Sequence, residues 1–163
     1  RSEFGKPVLE LSYLLKKIVQ EDKPLDWEKF VKMQTVQPLK VVASGLKSEK
    51  AVVFDMEKES FKTLDELTNC MHASMLLPGI AGPVMNIGES DNGKKKEQTI
   101  GNYVKGQTGE PLADALVYEP MPWRSAVAEG ATHVLVLRTI PDGVDVTGKP
   151  SFFSKASHEA FFP

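Results

Sequence analysis

The sequence has one cysteine, no long apolar run and almost no net charge. Cys70 stands alone among 163 residues, which excludes an internal disulfide. No stretch approaches the roughly 18 consecutive apolar residues that a membrane-spanning helix needs. The formal net charge is -2, so no overall field draws the chain towards nucleic acid or an anionic membrane. What is present is an ordinary globular composition, with 41% apolar and 26% charged residues.

Metal, phosphate-binding and nucleophile motifs are also missing. His72, His133 and His158 have no metal-ligand spacing with one another or with Cys70, so we expect no metal site. The sequence has no glycine-rich phosphate loop, and we expect no cofactor. It also has no G-x-S-x-G nucleophile elbow, because the stretch at 88–92 (GESDN) lacks the second glycine.

Three helices are predicted in the first half of the chain. Apolar residues recur at helical spacing over 6–20, and Asp26 is a good N-cap for a short second helix through Phe30. Residues 63–66 (TLDE) form a capping box for a third helix. One face of that helix carries an apolar stripe, which we interpret mainly as core, made of Leu64, Leu67, Met71 and Met75.

Strand signals lie between and after these helices. Residues 39–43 (LKVVA) and 51–56 (AVVFDM) predict two strands joined by a turn. A helix over 122–129 leads into the continuous apolar run 133–137 (HVLVL), which is typical of a strand covered on both faces. This order favours an α/β layered sheet. Residues 88–111 predict a long polar surface excursion, and the phenylalanine-rich tail, 150–163, has no clear period.

One acidic residue stands out as a candidate site. Asp114 is flanked by small and apolar residues, so its carboxylate would be poorly solvated unless something binds it; such a position is more often structural than catalytic. Asp142 also lies next to a glycine, but Pro141-Asp142-Gly143 is a ready β-turn.

A family resemblance gives Asp114 a more specific role. Residues 73–80 (ASMLLPGI), followed by 82–84 (GPV), resemble the A-S-x-x-x-P-G-x-x-x-P-V signature of patatin-like phospholipases. Asp114 and Pro122 stand at the spacing of that family's catalytic Asp and the proline that opens its next helix. Residues 129–134 (EGATHV) are similar to its entry to the following strand. The resemblance extends from about residue 38 to residue 139.

The resemblance implies a fold and an activity. It implies a three-layer α/β/α fold with a mainly parallel central sheet, of which residues 5–149 are the C-terminal part; residues 1–4 look like translated cloning sites. Asp114 is then the general base of a Ser–Asp dyad in a lipid acyl hydrolase, and the serine belongs to an N-terminal half outside this sequence. Lipid esters of membranes or lipid droplets are the implied substrates, in a cytoplasmic protein peripheral to those surfaces.

Two alternatives stay open. Ala115 and Leu116 replace the small residues that usually follow the family's Asp, which favours a catalytically inactive, patatin-like lipid-binding or interaction module. The other alternative is an independent α/β domain without a lipid role. If the N-terminal half is missing, an exposed sheet edge predicts self-association of the chain. We expect no esterase activity from the chain alone.

Overall fold

The computed structural model describes residues 10–78, 80–82, 85–87, 103–104, 110–137 and 143, without the side chains of 86, 87, 103 and 104. The described chain combines helices with a five-stranded sheet. The helices are a π-helix (Tyr13–Asp22), α1 (Trp27–Met33), α2 (Leu64–Met75), a 3-10 helix (Ala115–Val117) and α3 (Trp123–Ala128). The strands are β1 (Val41–Gly45), β2 (Lys50–Phe54), β3 (Met85–Ile87), β4 (Tyr103–Val104) and β5 (Glu110–Ala113).

The predicted helix starts are confirmed by their caps. The Asp26 side chain accepts the Lys29 N–H at the start of α1, at 3.0 Å. The Thr63 hydroxyl accepts the Glu66 N–H at the start of α2, at 3.2 Å. The Glu66 carboxylate reaches back to the N–H of Lys62 rather than that of Thr63. The first predicted helix is present from Leu11 onwards, mostly as a π-helix. None of the described helices is long and apolar enough to cross a membrane.

The sheet is mixed, with strand order β2-β1-β5-β3-β4. The β1–β2, β1–β5 and β3–β5 pairs are antiparallel, and the β3–β4 pair is parallel. These pairings do not support the predicted mainly parallel sheet. The physical reason is local, because β1 and β2 are joined by a short turn, whereas parallel neighbours need a crossover of about a dozen residues or more.

The predicted strand over 133–137 is absent. This segment has no regular secondary structure and pairs with no described strand, and its apolar side chains are exposed, with Leu135 and Leu137 each 88% exposed. The apolar run alone predicted a strand covered on both faces, but such a strand forms only where neighbours supply hydrogen bonds and packing. The described part of the chain supplies neither here. The tail, 150–163, lies outside the described residues.

The core lies between the sheet and the helices that cover it. Phe61 and Leu67 are among its largest fully buried side chains, and Phe30 of α1 packs beside Phe61 with ring centroids 6.5 Å apart. The whole of β1 is buried, since β2 and β5 flank it and α2 packs on it. The other described side chains of this core are Leu11, Leu15, Val41, Ala43, Phe54, Cys70, Ala73, Leu76, Ala81, Met85 and Leu112.

The turn between β1 and β2 is fastened to the start of β5. One Glu110 carboxylate oxygen accepts the backbone N–H groups of Lys47 and Ser48 at 3.1 and 3.0 Å, and the Ser48 hydroxyl at 3.1 Å. A Cβ atom at Gly45 would lie only 2.5 Å from that oxygen, so glycine permits the approach. This contact joins the β1–β2 turn to the first residue of β5.

Candidate functional site: the Asp114 cleft

Asp114 is the first residue beyond β5. Its neighbour Ala113 pairs with Ser44 of β1, and the Asp114 N–H donates to the Leu76 carbonyl just after α2, at 2.7 Å. The half-buried Asp114 side chain then caps the 3-10 helix, since Oδ1 accepts the Leu116 N–H at 2.8 Å. No described residue donates a hydrogen bond to Oδ2. The carboxylate is therefore oriented by its own turn while one oxygen stays available.

Two buried polar side chains hold the turn that follows Asp114. The fully buried Ser44 hydroxyl oxygen accepts the Tyr118 N–H at 3.1 Å, which joins the turn to β1. The buried Glu119 carboxylate accepts the Ser125 N–H at 2.8 Å and the Ser125 hydroxyl at 2.5 Å. Glu119 thereby connects the turn to α3. Hydrogen bonds of a charged carboxylate are the stronger kind, so this link restrains the segment between Glu119 and α3.

Asp114 lines a cleft of about 590 Å³, here called the Asp114 cleft. Its walls are residues 39–42 at the start of β1, one face of α2, and the segment from Asp114 to Pro122. Nine of its twelve lining residues are apolar, and the polar ones are Lys40, Ser74 and Asp114. The cleft is wide open to solvent, and its few polar groups lie on a mostly apolar surface.

Part of the predicted apolar stripe on α2 lines the Asp114 cleft. Leu67 is buried in the core, as predicted, whereas the half-buried Met71 and Met75 pack against the core and also line the Asp114 cleft. Ser74 lies on the same helical face as Met71, because residues three apart are neighbours on a helix. Methionine is flexible and polarizable, so this wall can adapt to alkyl ligands of differing shape.

Lys40 belongs to an ion-pair network beside the cleft. Its ammonium lies 2.7 Å from Glu129 and 3.3 Å from the buried Asp55. Lys58 contacts the same two carboxylates, at 2.7 and 3.5 Å, and its backbone N–H donates to Asp55 at 2.6 Å. Two cations therefore neutralise two anions, and the network ties the end of α3 to the strands β1 and β2.

These contacts shift the pKa values of the four groups. Hydrogen bonds from Lys40 and then Lys58 lower the pKa of Glu129 to about 2. Burial alone would raise the pKa of Asp55, but the Lys58 N–H and the Lys40 ammonium outweigh it and hold that pKa below its ordinary value. Hydrogen bonding to Glu129 is the main cause that raises the pKa of Lys40 and of Lys58.

The network predicts an acid-sensitive contribution to stability. Because the pKa of Glu129 is depressed on folding, its contribution is present above its ordinary pKa of 4.5 and is lost as the pH falls towards about 2. We expect Glu129→Gln to lower the urea midpoint at about pH 6 but to change it far less at about pH 3, where wild type has already lost part of the effect.

The control for this prediction is Glu57→Gln, which neutralises an exposed carboxylate that forms no ion pair with a described residue. In the Glu57→Gln variant, the urea midpoint should change between the two pH values by as much as it does in wild type. Equal destabilisation of the Glu129→Gln variant at both pH values would show that the ion pairs do not carry the pH dependence.

Two other buried titratable residues, Cys70 and His72, lie outside this site. Burial raises the pKa of the Cys70 thiol to about 12, so it is not a ready thiolate nucleophile. His72 is buried, its Nδ1 has no partner, and burial lowers its pKa. Neither residue lines the Asp114 cleft. In the described ranges no three His, Cys, Asp or Glu side chains are grouped to hold a metal ion.

Sequence analysis identified Asp114 as a candidate site residue but did not predict which other residues line the cleft. The structure places Asp114 in a cleft with Ser74 and Lys40, which sequence reasoning did not assign to a site. Ser74 could have been found from the sequence, because its spacing from Met71 places both residues on the same face of the predicted helix. The contacts of Ser44 with Tyr118 and of Lys40 with Glu129 join residues far apart in the chain and left no local signal.

Comparison of the chain with protein-family models, with curated proteins and with solved structures finds no match. The resemblance to patatin-like phospholipases therefore stays a prediction from the motif residues. The catalytic role of Asp114 likewise stays a prediction.

Proposed function

We propose that this chain supplies the general base, Asp114, of a lipid acyl hydrolase whose nucleophilic serine lies in a segment outside this sequence. The observation that carries the proposal is the position of Asp114, directly after a strand and in the wall of a mostly apolar cleft. An alkyl chain of a lipid ester suits the apolar walls, and an ester group beside it would lie near the carboxylate. The motif resemblance supplies the reaction class.

The proposed chemistry needs a base next to the serine. A serine hydroxyl is a poor nucleophile until a positioned group takes its proton. In the proposal the Asp114 carboxylate takes that proton as the serine oxygen attacks the ester carbonyl. The proton passes to the alcohol that leaves when the tetrahedral intermediate collapses to an acyl-serine. Water, deprotonated by the same carboxylate, then releases the fatty acid and frees the serine.

The contacts of Asp114 suit this role. Oδ1 is engaged with the Leu116 N–H, which orients the group, while Oδ2 has no described donor and is free to accept a proton. The three-layer patatin-like fold belongs to the same proposal, with strands from the segment outside this sequence extending the sheet. A location at the surface of membranes or lipid droplets, where the substrates are found, is also part of the proposal.

A second function is favoured by one of these contacts. The bond from the Leu116 N–H to Asp114 is an N-cap, which is a sufficient structural reason for an aspartate at this position. In this alternative the protein is a catalytically inactive lipid-binding or interaction module. The cleft would then hold a lipid without cleaving it.

The two functions are separated by a serine-directed label. We expect the protein expressed from its complete gene to react covalently with an alkyl fluorophosphonate and to hydrolyse a neutral p-nitrophenyl ester, whereas the 163-residue chain alone does neither. Peptide mapping should place the label on a serine outside this sequence. A complete protein that neither reacts with the label nor turns over the ester would favour the inactive module.

A further inference from the structure

The two charged residues of the Asp114 cleft differ in their partners, because Lys40 forms ion pairs with described residues and Asp114 does not. Among its lining residues only Lys40 and Asp114 are charged. Lys40 is paired with Glu129 and Asp55 and adds little field of its own, because those two carboxylates and the cations Lys40 and Lys58 cancel. Asp114 forms no ion pair with any described residue. Within the described part of the chain, the negative charge of Asp114 therefore has no counter-ion and faces a mostly apolar surface.

From this asymmetry we propose that the Asp114 cleft binds uncharged single-chain lipids, such as esters and alcohols, and that Asp114 rejects the corresponding fatty acid anion. The part of the proposal that concerns product release rests on the proposed function; the binding preference does not. The alkyl chain lies against Met71 and Met75, and its polar end lies beside Asp114 and Ser74.

Hydrogen bonding and charge both favour the neutral ligand. An alcohol donates its O–H to the Asp114 carboxylate, and the Ser74 hydroxyl can donate to an ester carbonyl. A fatty acid carboxylate at the same place has no proton to donate and lies within a few ångströms of a like charge. In a partly apolar cleft this repulsion is screened less than in water. Lys40, which also lines the cleft, already has two anionic partners.

The preference has a consequence for turnover. Ester hydrolysis at neutral pH converts a neutral ester and water into an alcohol, a carboxylate and a proton. The product thus acquires the charge that the cleft rejects, and its release is favoured by the residue that served as the base. Inhibition by free fatty acid is then weak.

Binding of matched probes to the chain tests the proposal without any turnover. The probes are 1-octanol and octanoate, titrated below their aggregation limits at neutral pH and followed through the methyl NMR signals of Met71 and Met75. We expect affinity to fall in that order, with octanoate about tenfold or more weaker than 1-octanol. Shortening the alcohol to 1-hexanol should weaken binding by about tenfold, because two buried methylenes are lost.

Variants assign the preference to a residue. Asp114→Asn keeps an oxygen acceptor for the Leu116 N–H, so the turn is retained, and it should bring octanoate and 1-octanol to within about threefold of each other. Asp65→Asn, the same change at an exposed carboxylate outside the cleft, should leave the order intact.

Three results would overturn the proposal: octanoate binding as tightly as 1-octanol, an order unchanged by Asp114→Asn, or no perturbation of the Met71 and Met75 signals by any probe. Each is independent of the serine label, so a failed binding preference and a failed hydrolase assignment are told apart.

Discussion

Replacing Asp114 by asparagine in the complete protein is expected to lower kcat for a neutral lipid ester by about a hundred- to ten-thousand-fold, the usual contribution of a general base. Asparagine has nearly the same shape but cannot accept the serine proton. Its side-chain oxygen still accepts the Leu116 N–H, so the 3-10 helix and the cleft wall stay in place. The loss should therefore appear in kcat, with KM changed little.

Two measurements separate catalysis from folding in this experiment. The Asp114→Asn protein should unfold within a few degrees of wild type, and the exposed control Asp65→Asn should retain full activity. An Asp114→Asn protein with at least half of the wild-type kcat would remove Asp114 from the mechanism.

Phe61→Ala is expected to cost about 3–5 kcal/mol of unfolding free energy, the usual range for a buried phenylalanine. Phe61 has no exposed surface, packs against Phe30 of α1 and belongs to the cluster that contains the sheet residues. Truncation leaves a cavity that neighbouring rigid elements cannot fill. Because small domains have only about 5–15 kcal/mol of stability, the variant should be largely unfolded at moderate urea concentrations.

The matched control is Phe61→Leu, which fills most of the same volume and should cost about 1–2 kcal/mol. Urea titration followed by far-UV circular dichroism measures both variants. Equal midpoints for Phe61→Ala and wild type would show that this ring does not hold α1 and the sheet together.

Local signals predicted the local structure well. The Asp26 cap, the Thr63 cap and the β1–β2 hairpin all depend on residues within a few positions of one another, and the structure contains all three. The α3 helix after Pro122 was likewise readable from a proline at its start and Gly130 just past its end, where φ is 98°. Asp114 was selected from its apolar neighbours and its spacing from Pro122.

Structural features that depend on contacts between residues far apart in the sequence could not be predicted from it. An apolar run specifies that a segment prefers burial but not what buries it, so residues 133–137 were predicted as a strand that the described sheet does not contain. Strand direction depends on which strands become neighbours, and Ser44 of β1 pairs with Ala113 of β5, which lies 69 positions later in the sequence (113 − 44). The pairing of Lys40 with Glu129 similarly joins positions 89 residues apart.

Because the single cysteine of the chain is buried, the rate of its alkylation measures how often the surrounding structure opens. Cys70 has no exposed surface, and its Sγ contacts the Ser60 carbonyl in the core. A thiol reagent can reach it only when the packing around Cys70 opens. The alkylation rate therefore follows the population of such opened states, or the opening rate itself when the reagent is fast. Since the sequence contains no other cysteine, every labelled molecule reports exposure of this one position.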